Sequence, residues 1–388
     1  MEKLTRRDFI RLSSLLGLST ALSGCAASAG SSFEGKVIVI GAGAAGMSAA
    51  YLLKQQGIDV EVLEANSVHG GRVRVNKTFT DFPISLGGEW LHANISTLDS
   101  IVNDNSVEIG VEMAGYDSSN TRGYYQDGVY STEPSVGDND TKFVGSSWFD
   151  FYEQYIVPSI QDKMRYGVEI TDIDYSNTQV QLTDKAGNSY AADRVIITIP
   201  LKILQDGDVS FSPRLPFMKR RAIESAVVWS GFKAFFEFTE QFFPAVITFP
   251  DTSTDVQHWL FYDASHGQNT DRPILGLFSV GAKAEAYQAM SDEEFQATIL
   301  GTLDEIFDGA ASRTYVKHMT QNWNEEPFAR AAYLQNDSPF WVSREMARSI
   351  DSKLYFAGSA YTSFGTWSSV HAAARSARVA ADEITGLA

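Results

Sequence analysis

The chain opens, after its first three dozen residues, on a short β-branched run. Lys36–Ile40 (Lys-Val-Ile-Val-Ile) has the pattern of a buried strand. Gly41-Ala42-Gly43-Ala44-Ala45-Gly46 follows at once. Residues 47–56 are rich in Ala, Leu and Gln and stop at Gly57, which predicts a helix. Residues 59–63 form a second strand closing on Glu64. Further along, residues 170–173 lead through a hairpin-like stretch to residues 192–199, a β-strand pair. In Gly231–Phe238 a period of two puts Lys233, Phe235 and Glu237 on one face and Phe232, Ala234, Phe236 and Phe238 on the other. Residues 369–384 are Ala-rich and predict a closing helix. The strand–helix alternation at the front makes this an α/β protein with a parallel sheet.

Composition narrows the picture. With 388 residues, 44% of them hydrophobic and 20% charged, the chain has material for a large core. The formal net charge of -17 argues against nucleic acid as a partner. Six histidines are scattered without ligand spacing, so no metal site is expected. One cysteine excludes an intrachain disulfide. That cysteine, Cys25, lies in an N-terminal segment that reads as an address. Arg6 and Arg7 precede an apolar stretch over residues 12–22, too short and too polar to span a membrane. Thr5-Arg6-Arg7-Asp8-Phe9-Ile10 resembles a twin-arginine export signal, and Leu22-Ser23-Gly24-Cys25 resembles a bacterial lipobox. The expectation is a signal peptide over 1–24, a tether over 25–34, and a folded protein exported to the periplasmic side, touching a membrane only through a lipid on Cys25.

The glycine-rich turn carries the first candidate chemistry. A lone G-x-G-x-x-G is weak, but here it lies between strand and helix with an acid beyond the second strand. Gly41 permits the tight turn, Gly43 lets backbone approach a pyrophosphate, and Gly46 allows close helix–strand packing. The helix N-terminus at Ala45 offers free N–H groups to phosphate. Glu64 can accept hydrogen bonds from a ribose diol.

The residues that follow choose between dinucleotides. Glu64-Ala65-Asn66-Ser67-Val68-His69-Gly70-Gly71-Arg72 resembles the E-x(5)-G-G-R segment of flavin-containing amine oxidases, and Leu86-Gly87-Gly88-Glu89-Trp90-Leu91-His92 resembles that family's stretch beside the flavin ring. Four more segments extend the resemblance over nearly all of 36–388. Ile170 opens a V-x-x-I-like segment near the adenine. Gly231–Phe238 resembles the strand whose lysine, here Lys233, holds a water against flavin N5. Trp323-Asn-Glu-Glu-Pro327-Phe-Ala-Arg330-Ala-Ala-Tyr333 resembles a segment whose last aromatic lines the substrate cavity. Leu354-Tyr-Phe-Ala357-Gly358-Ser359, with the helix after Ser369, resembles the closing block; its helix N-terminus at Val370 faces the flavin pyrimidine end.

Some positions depart from the family pattern. Ser359 stands where the family has glutamate, Ala331 and Ala372 replace glycines, and the cage aromatic falls at Ser369, with Trp367 two residues earlier as its substitute. The stretch between His92 and Ile170 is short, implying a reduced helical part.

The resemblance implies a Rossmann-like FAD domain of the glutathione-reductase type (35–91, 166–210 and 346–388) and a mixed-sheet substrate domain (92–165 and 211–345). FAD is expected to be non-covalent unless a histidine links it, because Cys25, the one cysteine, is too far forward to do so. Gly41, Gly43, Ala45, Gly46, Glu64, Gly71, Arg72, Gly87, Gly88, Ile170, Gly358, Ser359 and Val370 are the candidate cofactor residues. Lys233, Tyr333, Trp367 and His92 are the candidate catalytic ones. The implied activity is oxidation of a C–N bond in a small amine substrate, by hydride transfer to flavin, with molecular oxygen or another electron acceptor reoxidising it. Two alternatives stay open: a flavin dehydrogenase or desaturase with a non-oxygen acceptor, and a non-catalytic FAD-binding lipoprotein. For Lys233 itself the residues leave two readings, a functional buried cation or a lysine that snorkels or pairs with an acid.

Overall fold

The computed structural model describes residues 33–117, 119–135, 140–249, 257–335, 338–362 and 368–387. Arg6, Arg7, Cys25 and Trp367 lie outside the described residues. The β-branched run Lys36–Ile40 is the middle strand of a five-stranded parallel sheet. Asp59–Glu64 lies on one side of it with Met164–Tyr166 beyond; Arg194–Ile197 and Leu354–Phe356 lie on the other. A strand buried on both faces needs apolar residues at every position, and Val37, Ile38 and Val39 have no exposed surface.

The first helix (Ala44–Gln55) and the last (Val370–Thr385) cover one face of this sheet. Small residues let them lie against each other and against the strands: Ala49 and Ala50 from the first, Ala373, Ala377 and Ala381 from the last. Gly57, at φ 78°, ends the first helix, and Gly386, at φ 76°, ends the last. The other face carries a four-stranded sheet built from residues 170–212, together with the helix Phe340–Ala347.

The second large unit is a seven-stranded mixed sheet, with Gly231–Phe238 between Tyr315–Asn322 and Ile274–Gly281. All its pairings are antiparallel except that of Val246–Thr248 with Thr121–Gln126. The period of two in Gly231–Phe238 is realised as two differently packed faces. Phe232, Ala234, Phe236 and Phe238 pack on the helix Asp292–Phe307, through Phe295, Ile299 and Leu303. Phe235 packs on Phe82, Leu86, Tyr262 and Trp323. Burying one such phenylalanine contributes about 1.5–3 kcal/mol, so each face is strongly specified.

Residues 92–165 pack in two places. The helices Thr97–Val102 and Trp148–Tyr155 share a core with the first and last helices, through Leu98, Ile101, Phe151 and Tyr152. Tyr152 also bonds Ser48 in the first helix, Oη to Oγ at 3.0 Å. The apolar spacing of Trp148, Phe151 and Tyr152 builds one buried helix face, and that face seals the dinucleotide-binding layer. Of residues 92–165, the hairpin Thr121–Pro134 joins the mixed sheet.

Candidate active site

Two cavities meet where the sheets approach each other. The first lies over the C-terminal edge of the parallel sheet. Gly41 bends at φ 102°, and its N–H donates to Leu63 O at 2.8 Å, closing the turn onto the second strand. A Cβ on Gly46 would lie 1.9 Å from Gly41 O, so glycine is obligatory there for close packing. A Cβ on Gly43 would meet nothing within 4 Å, because that position opens into the cavity. Gly41 and Ala45 also line it.

Glu64, at the end of the second strand, is buried at the cavity wall. Its carboxylate accepts from Ala42 N at 2.6 Å and from Asn66 N at 2.8 Å. Burial raises its ionisation above the usual range, against the pull of those N–H groups. It therefore stitches two turns together, a role the spacing did not reveal, and keeps lone pairs for a ribose.

Gly71, Arg72, Gly88 and Ile170 line the same cavity, as do Gly358, Ser359 and Val370 from the closing block. Gly87 is turned away: it lines the second cavity, and a Cβ there would meet Arg72 O at 1.9 Å. Gly46 lies under the turn. Gly358 sits at φ 148°, its N–H bonded to Ser376 Oγ at 2.7 Å. The last helix starts at the cavity, capped by Ser369, whose Oγ accepts from Ala372 N at 3.2 Å.

The chemistry of this lining fits a dinucleotide diphosphate. Arg72 is half-buried and donates to the Ala332 carbonyl, and among the described residues no carboxylate pairs with it. Burial pulls its ionisation down, the mark of a guanidinium short of a counter-charge. An anionic group beside the open face of Gly43, at the N-terminus of the first helix, would supply one.

The second cavity shares Arg72, Gly88, Tyr333, Ser369 and Val370 with the first and runs under the mixed sheet. Lys233 reaches it from the middle of Gly231–Phe238. Its Nζ donates to Ser85 O and Glu89 Oε2, both at 2.8 Å, and lies 3.4 Å from Gly87 O. The buried cation is thus at the cavity wall and paired with an acid. Glu89 also accepts from Tyr262 Oη at 2.6 Å. Burial works to raise the Glu89 ionisation, but Lys233 and Lys142 outweigh it and hold the carboxyl below its usual range. Lys142 is itself buried, donating to Asp263 O and Ala264 O at 3.1 and 2.8 Å; burial pulls it down to about 8.

Tyr333 lines both cavities and meets Trp229 edge-on, with ring centroids 5.8 Å apart. His92 lines the second cavity with Nδ1 2.8 Å from Asp140 Oδ2, and its ring lies 6.5 Å from His371. The structure thus brings Lys233, Tyr333 and His92 to one cavity. Glu89, Tyr262, Lys142, Asp140 and His371 were not singled out by sequence. Glu89 alone had a signal, an acid inside a glycine and aromatic run.

A parallel-sheet dinucleotide cradle joined to a second cavity under a mixed sheet is the arrangement of a dinucleotide-dependent oxidoreductase. Residues 39–102 match an NAD(P)-binding Rossmann-like domain, and residues 139–385 match the family of flavin containing amine oxidoreductases. The chain is 24% identical to polyamine oxidase 4 of Oryza sativa subsp. japonica, covering 89% of this chain and 88% of that protein. Its fold superposes on cyclohexylamine oxidase of Brevibacterium oxydans with a TM-score of 0.75 at 16% identity, covering 92% of this chain and 99% of the other. It superposes on putrescine oxidase with bound putrescine with a TM-score of 0.72 at 17% identity, covering 91% and 99%. The chain belongs to the flavin containing amine oxidoreductase family. It is an FAD-dependent amine oxidoreductase.

Proposed function

We propose that this protein is an oxidase of a small amine, with molecular oxygen as the final electron acceptor. The observation that carries the reading is the junction of the two cavities at Gly88 and Tyr333, with Lys233 at the wall of the second. FAD, when bound, supplies the hydride acceptor. The chain's residues do the rest. Gly41, Gly43 and Arg72 hold the diphosphate, and Glu64 holds the ribose. Tyr333 flanks the amine. Lys233, fixed by Glu89 and Ser85 O, sets a positive charge beside the reacting carbon and nitrogen. His92, held by Asp140 at the same cavity, contacts the substrate. The amine must bind unprotonated, so no strong protein base is needed. Loss of a hydride from carbon and a proton from nitrogen leaves an imine, and water converts it to aldehyde and ammonia. Dioxygen takes up the two electrons with two protons as hydrogen peroxide.

The same reading holds that Arg6 and Arg7 direct export of the folded protein and that a lipid on Cys25 tethers it to a bacterial membrane on the periplasmic side. Stoichiometry tests the chemistry. Benzylamine turnover in air should release aldehyde, ammonia and peroxide one to one to one. Aldehyde formed only when a quinone or dye is added, with no peroxide, would assign the electrons to another acceptor.

A further inference from the structure

The second cavity carries information about which amine it takes. Its walls are largely apolar, with Trp90, Leu260, Phe278 and Val280 among them. Two carboxylates line it among the described residues, and each is engaged by the protein. Glu89 is bonded to Lys233 and Tyr262, with Lys142 behind it. Asp140 is bonded to His92 Nδ1 at 2.8 Å. Three cationic side chains, Arg72, Arg122 and Lys233, line the same space. A second ammonium on the substrate, away from the reacting nitrogen, would leave water for an apolar space whose acids are already occupied. An unpaired buried charge is strongly disfavoured.

We infer that the second cavity selects an apolar monoamine over a diamine or polyamine. Glu89 and Asp140, with their partners Lys233 and His92, are the residues that set this choice. The inference rests on the amine-oxidation reading above and adds the substrate class to it.

A matched pair isolates the second charge. Hexylamine and hexane-1,6-diamine share chain length and reacting group and differ by one terminal ammonium. With FAD-loaded full-length protein, kcat/KM for hexylamine should exceed that for the diamine at least about tenfold at pH 8. The ratio should narrow at pH 10, near the ionisation of an alkylamine. A binding readout independent of turnover accompanies it. tert-Amylamine has no hydrogen on the carbon bearing nitrogen and cannot be oxidised; it should raise the melting temperature more than an equal concentration of 1,4-diaminobutane. Equal or better use of the diamine would overturn the inference and leave amine oxidation intact. A large ratio that does not move at pH 10 would assign the choice to shape and overturn the charge argument. If neither amine reduces the flavin, the oxidation reading fails and the inference fails with it.

Discussion

Gly43 and Lys233 separate two kinds of residue that matter here. At Gly43 the backbone carries no positive φ, and a side chain would meet no protein atom, so valine there is compatible with the fold. It would fill the space of the diphosphate. Gly43→Val should keep the native circular dichroism and lose FAD binding, seen as colourless protein after reconstitution and gel filtration. Lys233→Met keeps length and apolar packing but removes the charge shared with Glu89. It leaves Glu89 with Tyr262, and with Lys142 nearby, as the balancing groups. We expect FAD to stay bound and turnover on a confirmed amine to fall at least about tenfold, about 1.4 kcal/mol of barrier. Unchanged turnover would reduce Lys233 to an anchor for the Ser85–Glu89 turn. Gly41 and Gly46 were legible in sequence because a positive φ at the one and a close approach at the other admit no other residue. The partner of Lys233 was not: Glu89 is 144 positions away, and only the folded chain brings the two together.

The last helix shows the same division at the scale of an element. Its existence was plain from its alanines, and its start from Ser369, whose Oγ accepts from Ala372 N. What it faces was not plain. His371, in its first turn, lies beside His92, and burial lowers its ionisation to about 4, with the charges of His92 and Arg375 pushing the same way against Asp140. An unfolded histidine ionises near 6.5. Between pH 4 and 6.5 the unfolded chain therefore binds more protons at this site than the folded one, so His371 makes stability rise with pH across that window. Urea unfolding should show a weaker protein at pH 5 than at pH 7, and His371→Gln should flatten part of that slope. Ser369→Ala should cost about 0.5–2 kcal/mol of stability through the lost cap. The helix Trp148–Tyr155 is the converse case: its amphipathic spacing is readable, but whether it joins the dinucleotide layer or the mixed sheet is decided by tertiary packing alone.

At the scale of the whole molecule, the dinucleotide unit was legible because each of its parts is local: strand, turn, helix and the acid beyond the second strand. The mixed sheet was legible only as single strands, since its order joins segments from 121 to 322. The proposed export and lipid tether belong to this scale as well. Changing Arg6 and Arg7 together to lysine should leave precursor in the cytoplasm. Cys25→Ala should release the exported protein from membranes on fractionation; a Cys25→Ala form that still sediments with membranes would contradict the lipid tether.

Gly41, Gly43 and Arg72 would hold FAD in the first cavity, where it would supply the hydride acceptor for an amine in the second. Anaerobic titration of the yellow, FAD-loaded protein with benzylamine tests it most directly. The flavin absorbance near 450 nm should bleach within one turnover and return when air is admitted, with peroxide formed in the amount of flavin reoxidised. A flavin that stays oxidised through a panel of monoamines, diamines and polyamines would contradict the account.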